Sequence, residues 1–253
     1  MFTKFYSSIK KIPLLTIILF SIFTACDKDE KNNNLLEDIP GTVKDIDGNI
    51  YSTVIIGEQE WMVENLRTTT YTDGTKIPLE ENQYNWSNLS SPSYCWYDND
   101  SISYSQTYGA LYNWYTVETT KLCPDGWHIP TDEDWKILEE ELGMNPSELN
   151  QDGFRGTDVG SKIAGNADLW IDEYNKINNN AEFGSTDFNG YPGGLRDKNG
   201  DFTFLTGGGY WWTSTEYSEE KAWIRHLGYN DTGIYRFPYG NKQYGLSIRC
   251  LKD

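Results

Sequence analysis

Apolar positions fall into three kinds of run along this chain. From Ile12 to Phe23 they are nearly continuous, broken only by Pro13, Thr16 and Ser21. From Gly41 to Leu66 they come in short stretches separated by turn pairs. Val43 to Ile46 leads into Asp47-Gly48, Ile50 to Ile56 into Gly57-Glu58, and Glu60 to Leu66 follows. Asp-Gly between such stretches marks a tight turn, so the spacing predicts a three-stranded meander. The third kind of run is helical. Trp135, Leu138 and Leu142 recur at i, i+3 and i+7 behind Thr131, a capping residue, with Asp134 at the third helical position. Acids in the first turn suit the helix dipole, and Gly143 suits a stop. A second helix is expected over Tyr108 to Val117, with Leu111, Tyr112 and Tyr115 on one face.

Asn145 to Gly200 is rich in Gly, Asn and Asp, with room for a helical turn or two at Val159 to Gly165. So long a loop region inside one domain is usually functional. Strands return at Phe202–Leu205, Gly209–Ser214, Ala222–Leu227, Gly233–Phe237 and Tyr244–Cys250. Strands, helices, loops and strands again, in that order, place the chain in the α+β class.

The first apolar run follows Lys4, Lys10 and Lys11 and precedes Thr24, Ala25 and Cys26. Charge, apolar stretch and small residues at the cut are the order of a secretory signal. About a dozen apolar residues fall short of the roughly 20 that span a bilayer. The segment ending in Cys26 resembles a bacterial lipobox, in which the thiol receives a lipid and becomes the new N-terminus. That resemblance implies a leader over 1–25, a flexible tether over 26–39 and a folded domain over 40–253, held at the membrane by acyl chains. Asp27, Lys28, Asp29 and Glu30 next to the acylated position resemble the surface-export signal of Bacteroidetes lipoproteins. The expected location is the outer membrane, facing the cell exterior, with a periplasmic orientation the other option.

The formal charge of −17 makes nucleic acid a poor partner, because phosphate binding needs clustered Lys and Arg. Ten Trp and 18 Tyr are too many rings for all to be buried in one domain, so some should reach the surface. Beyond Cys26 the cysteines are Cys95, Cys123 and Cys250. An oxidising compartment allows one disulfide and leaves one thiol. Cys123 with Cys250 is preferred because it ties the last strand to the middle of the chain; Cys95 with Cys250 is the rival pairing.

A series of motifs then appears in order: Asp45-Ile46-Asp47-Gly48-Asn49, Trp61-Met62-Val63-Glu64-Asn65-Leu66, Tyr94-Cys95-Trp96-Tyr97 and Tyr108 to Trp114. Cys123-Pro124-Asp125-Gly126-Trp127-His128-Ile129-Pro130-Thr131, Gly209 to Ser214 and Ser247-Ile248-Arg249-Cys250 complete it. The series resembles the Fibrobacter succinogenes major paralogous domain of exported proteins and lipoproteins, and covers nearly everything from Gly41 to Asp253. That family is similar to C-type lectin-like folds, particularly the branch with formylglycine-generating and sulfatase-modifying enzymes. The resemblance implies mixed and antiparallel sheets, two main helices and long loops. It also implies that the chain ends pair in one sheet and that loops of the second half build a ligand surface.

Catalytic chemistry finds little footing. The formylglycine-generating branch depends on a pair of cysteines near the C-terminus, where this chain has only Cys250. His128, beside Trp127, has no nucleophile nearby in sequence and reads as a packed structural residue. Glu139, Glu140 and Glu141 are expected on an exposed helix face, and no local signature marks the opposed carboxyl pair of a glycosidase. The competing enzyme reading is a carbohydrate-active enzyme working through carboxylates. The calcium triplets of sugar-binding lectins are missing. Asp98-Asn99-Asp100 and Asp45 to Asn49 have oxygen ligands suited to calcium but read as plain turns, so no cofactor is assigned.

Binding chemistry is better supported. Trp211, Trp212, Trp223, Tyr229, Tyr235 and Tyr239 interleave with Glu216, Arg225, Asn230, Arg236 and Asn241. Strand alternation sends Trp211 and Trp212 to opposite faces, so in a one-sided sheet one of them meets solvent. Rings stacked on a sugar, with Asn or Arg on its hydroxyls, would hold a glycan; the same residues suit a protein interface. The expectation is a lipid-anchored domain that recognises a glycan or a protein, glycan slightly ahead.

Overall fold

A computed structural model of the protein describes residues 41–172 and 174–253. The leader, Cys26 and the tether over 26–39 lie outside the described residues. The meander is present: β1 (Thr42–Lys44), β2 (Ile50–Ile56) and β3 (Gln59–Met62) pair antiparallel. Gly48 and Gly57 supply the positive φ that its two turns require.

The following segment folds as short pieces: α1 (Gln83–Ser87), β4 (Tyr94–Cys95), α2 (Ser101–Tyr108), β5 (Leu111–Tyr112) and α3 (Trp114–Val117). The single helix expected over Tyr108–Val117 is therefore not formed. Gly109 ends α2 at φ 75°, and a Cβ there would lie 2.7 Å from the Leu66 carbonyl oxygen. Beyond it Leu111 and Tyr112 are both buried, which a strand pairing with Tyr94–Cys95 achieves.

After β6 (Trp127–His128) comes α4 (Asp132–Glu141). Thr131 and Asp134 form the reciprocal cap that their spacing indicates. The loop-rich stretch holds β7 (Gly153–Arg155), α5 (Val159–Ile163) and β8 (Gly193–Arg196). Five strands follow: β9 (Phe202–Leu205), β10 (Gly208–Ser218), β11 (Lys221–Gly228), β12 (Ile234–Asn241) and β13 (Leu251–Lys252).

Two antiparallel sheets dominate, in the orders β1-β2-β3-β13-β6 and β10-β11-β12-β7. The strand expected over Tyr244–Cys250 is not a ladder. Its backbone threads between neighbours: Leu246 N–H donates to the Tyr112 carbonyl and Ser247 N–H to that of Tyr210. The Ile248 and Cys250 carbonyls accept from Leu66 and Met62. Only then does the chain enter β13, between β3 and β6. A disulfide joins Cys123 to Cys250, and Cys95 is a buried free thiol.

The core sits on both faces of the four-stranded sheet. Trp212, Ala222 and Ile224 pack into one cluster with Tyr112, Trp114 and Ile248. Trp211, Leu227 and Ile234 pack into another with Trp135 and Leu138 of α4. The class is α+β, with helices set against antiparallel sheets.

Candidate functional site

A sheet covered on both faces changes the position of the expected ligand residues. Trp211 and Trp212 point to opposite faces, and both are wholly inaccessible. Their indole N–H groups are also consumed, on Asn65 Oδ1 at 2.9 Å and the Tyr112 carbonyl at 2.8 Å. They are core residues with no exposed face to offer a ligand; the sheet expected to be one-sided is covered on both sides.

Arg225 and Arg236 are buried too, in a charge network under α4. Arg225 donates to Asp132 Oδ1 at 2.7 Å and Glu139 Oε1 at 2.6 Å. Arg236 grips both oxygens of Asp132 at 2.8 and 2.9 Å and reaches Asp152. Arg155 completes the cluster on Glu139 Oε1 at 2.8 Å. Burial pushes the Asp132 carboxyl up, but the Arg236 and Arg225 guanidiniums outweigh it and hold the group well below the usual carboxylate range. Glu139 is thus fully buried, whereas Glu140 and Glu141 are exposed as expected. The helix carries Asp132, Trp135, Leu138 and Glu139 on its buried face. Arginines hold both oxygens of Asp132 and Oε1 of Glu139, whose buried Oε2 has no hydrogen-bond partner, and the whole cluster fits a structural strut.

Three rings remain open at the far end of β10, β11 and β12. Tyr217 is 51% exposed, Tyr239 59% exposed and Trp223 half-buried. Tyr217 meets Trp223 at 5.4 Å between centroids and 81° between planes, and Tyr239 at 6.4 Å and 76°. The Arg236 guanidinium covers one side of Trp223 at 3.5 Å, and Lys221 Nζ stands 5.4 Å from the Tyr239 centroid. Asn241 is half-buried beside this end and accepts from the Gln243 N–H. Glu216 is exposed but pairs across the strand with Ala222, on the side of the first core cluster, and its carboxylate holds Lys242. Tyr217 was missed because β10 runs four residues past its expected end at Ser214.

Tyr229, Asn230 and Tyr235 lie at the other end, next to a second aromatic row. Tyr210 and His226 stack at 4.1 Å and 10°, Tyr235 follows at 5.1 Å from His226, and Phe154 and Phe237 flank Tyr235. The Tyr235 hydroxyl donates to the Asp231 carboxylate. Parallel stacking uses the ring faces against one another, so this row serves as a zipper across strands more than as a platform. Tyr229 packs against the second core cluster and Asn230 is exposed.

With this geometry in view, residues 54–252 match the Fibrobacter succinogenes major domain. The chain belongs to that family. No curated protein and no solved structure matches it. The match opens within β2 and closes in β13, so it takes in the four-stranded sheet, the five-stranded sheet apart from β1 and the start of β2, the charge network and the exposed rings.

In this Fibrobacter succinogenes major domain the turn acids have local duties. Asp45 accepts from the Asn49 backbone and side chain and from the Tyr51 hydroxyl, and Asp100 caps α2 through Ser103. Among the described residues no group of three or more His, Cys, Asp or Glu could hold a metal ion. His128 is half-exposed and bridges Asp253 at 2.7 Å and Asp134 at 3.3 Å. A cavity of about 580 Å³ lies beside β1, lined by Lys44, Glu60, Thr72, Pro124, Trp127 and Lys252 among others. None of the expected ligand residues borders it.

His226 gives the domain a pH signature. Burial between rings lowers its pKa to about 4, from 6.5. The unfolded chain therefore binds the proton more readily, and stability falls as pH drops from about 6.5 towards 4. Denaturant midpoints across this window should decline in the native protein and flatten in His226→Phe. An unchanged slope in that variant would assign the loss to other groups.

Proposed function

We propose that this domain is a lipid-anchored recognition module, held at the outer membrane through Cys26 and binding a ligand with the open rings Tyr217, Trp223 and Tyr239. The observation that carries the reading is their solvent access in a chain whose other C-terminal tryptophans, Trp211 and Trp212, are sealed in the core. Three rings that touch yet stay open, with Asn241 and Lys221 beside them, offer apolar faces next to hydrogen-bonding groups. A glycan is favoured over a protein surface because the patch is small, aromatic and polar at its rim. A C-type lectin-like arrangement is supported by the pairing of β13 with β3, near the two ends of the described chain, and by a second-half sheet that carries the rings. The acidic chain is a poor match for nucleic acid. An enzyme acting through carboxylates gains no support from Asp132 and Glu139, which are buried and paired with arginines in the interior.

A glycan array probed with the full-length protein should give a signal that falls at least about tenfold in Tyr239→Ala or Tyr217→Ala, the scale of losing an aromatic anchor. Signal that survives both substitutions would remove these rings from the site. Mass spectrometry of the membrane-extracted protein should find acyl chains on Cys26; a free thiol there would remove the anchor.

A further inference from the structure

We propose that Tyr217, Trp223 and Tyr239 form an open aromatic cage for a choline-type quaternary ammonium group, with Lys221 holding the seat in the free protein. The proposal rests on the ligand-binding reading above and names the chemical group that the site recognises.

Tyr217 meets both neighbours near right angles, so the three rings make two aromatic corners that share one wall. Ring faces carry negative electrostatic potential, and corners of this kind surround a cation with several faces at once. An alkylated ammonium has no N–H to give a carboxylate, so rings are its natural partners. On a glycan the group would be carried as a substituent, and perpendicular walls suit that substituent as a flat platform suits the sugar ring itself.

The chain's own cations already choose these rings. Arg236 covers Trp223, and its charge is balanced by Asp132 and Asp152. Lys221 differs: its Nζ stands near Tyr239, yet it makes no ion pair among the described residues. An ammonium on a flexible four-carbon stem, held by a ring alone, is easily exchanged for a better-fitting cation. Glu219 and Glu220, in the turn between β10 and β11, are exposed and add negative potential beside the cage.

The test is a titration of the full-length protein, read on the Trp223 indole resonance by NMR. Choline chloride is compared with 3,3-dimethylbutan-1-ol, which has the same shape without the charge. Saturable shifts with choline are expected, with the neutral isostere roughly tenfold weaker or worse, the scale of a cation held by several rings. Tyr217→Ala and Tyr239→Ala should each weaken choline binding about tenfold, whereas Lys221→Met should tighten it several-fold. Either phosphocholine binding more tightly than choline, as a phosphocholine-bearing envelope glycan would require, or the two binding equally, as free choline would, supports the cage. Equal affinity for choline and its isostere overturns it, as does an unchanged affinity in Lys221→Met. Ring-dependent binding of uncharged glycans with choline silent overturns this inference and leaves the recognition reading standing; silence of every probe overturns both.

Discussion

Replacing Glu139 with leucine is expected to destabilise the domain by about 3–5 kcal/mol, the cost of leaving buried cations without their carboxylate. Glu139 Oε1 receives both Arg155 and Arg225, and all three side chains are inaccessible to water. Without it Arg155 keeps only the Leu149 carbonyl and a weak contact with the Met144 sulfur. Arg225 still reaches Asp132, which is already gripped by Arg236. For a domain of this size the loss corresponds to a fall in Tm of about 6–20 °C. The neighbouring exposed Glu140 is the control, since a surface change there should stay within about 0.5 kcal/mol. Equal melting temperatures for Glu139→Leu and Glu140→Leu would mean that the network contributes nothing to holding α4 on its sheet.

Opening the disulfide is the other large effect. Cys123 and Cys250 are 127 residues apart, and closing so long a loop restricts the unfolded chain enough to contribute about 5 kcal/mol. The urea midpoint should fall sharply on reduction, and Cys123→Ala should match the reduced protein. A midpoint indifferent to reductant would refute the link. Cys95 offers no alternative partner in the folded state: it is wholly buried against Trp86 and Leu111, and burial pushes its thiol up to about 12. It should therefore stay silent towards thiol reagents until the domain unfolds.

Local signals were readable where a single residue type decides the backbone. Asp47-Gly48 turned the chain, Thr131 and Asp134 capped α4, and Phe202–Leu205 formed a strand. What failed depended on neighbours remote in sequence. Gly109 breaks a helical pattern because the Leu66 carbonyl passes against it, a contact that no window around residue 109 contains. Glu139 looked solvent-facing because glutamate usually is, and only Arg155 and Arg225, brought in by β7 and β11, make its burial tolerable. Trp211 and Trp212 looked like a surface and a core ring because alternation reveals faces but not what covers them. The candidate site was half legible for the same reason: Trp223 and Tyr239 were in view, but Tyr217 depended on the length of β10.

The place of β13 bears on how the chain reaches this state. Leu251 and Lys252 lie in the interior of the five-stranded sheet, between β3 and β6, so that sheet is closed by a strand that follows all its other strands along the chain. A polypeptide interrupted before Cys250 would leave β3 and β6 without the strand between them, together with an unmatched Cys123. Damage at β13 should therefore be felt across the five-stranded sheet, because two strands lose their shared neighbour at once.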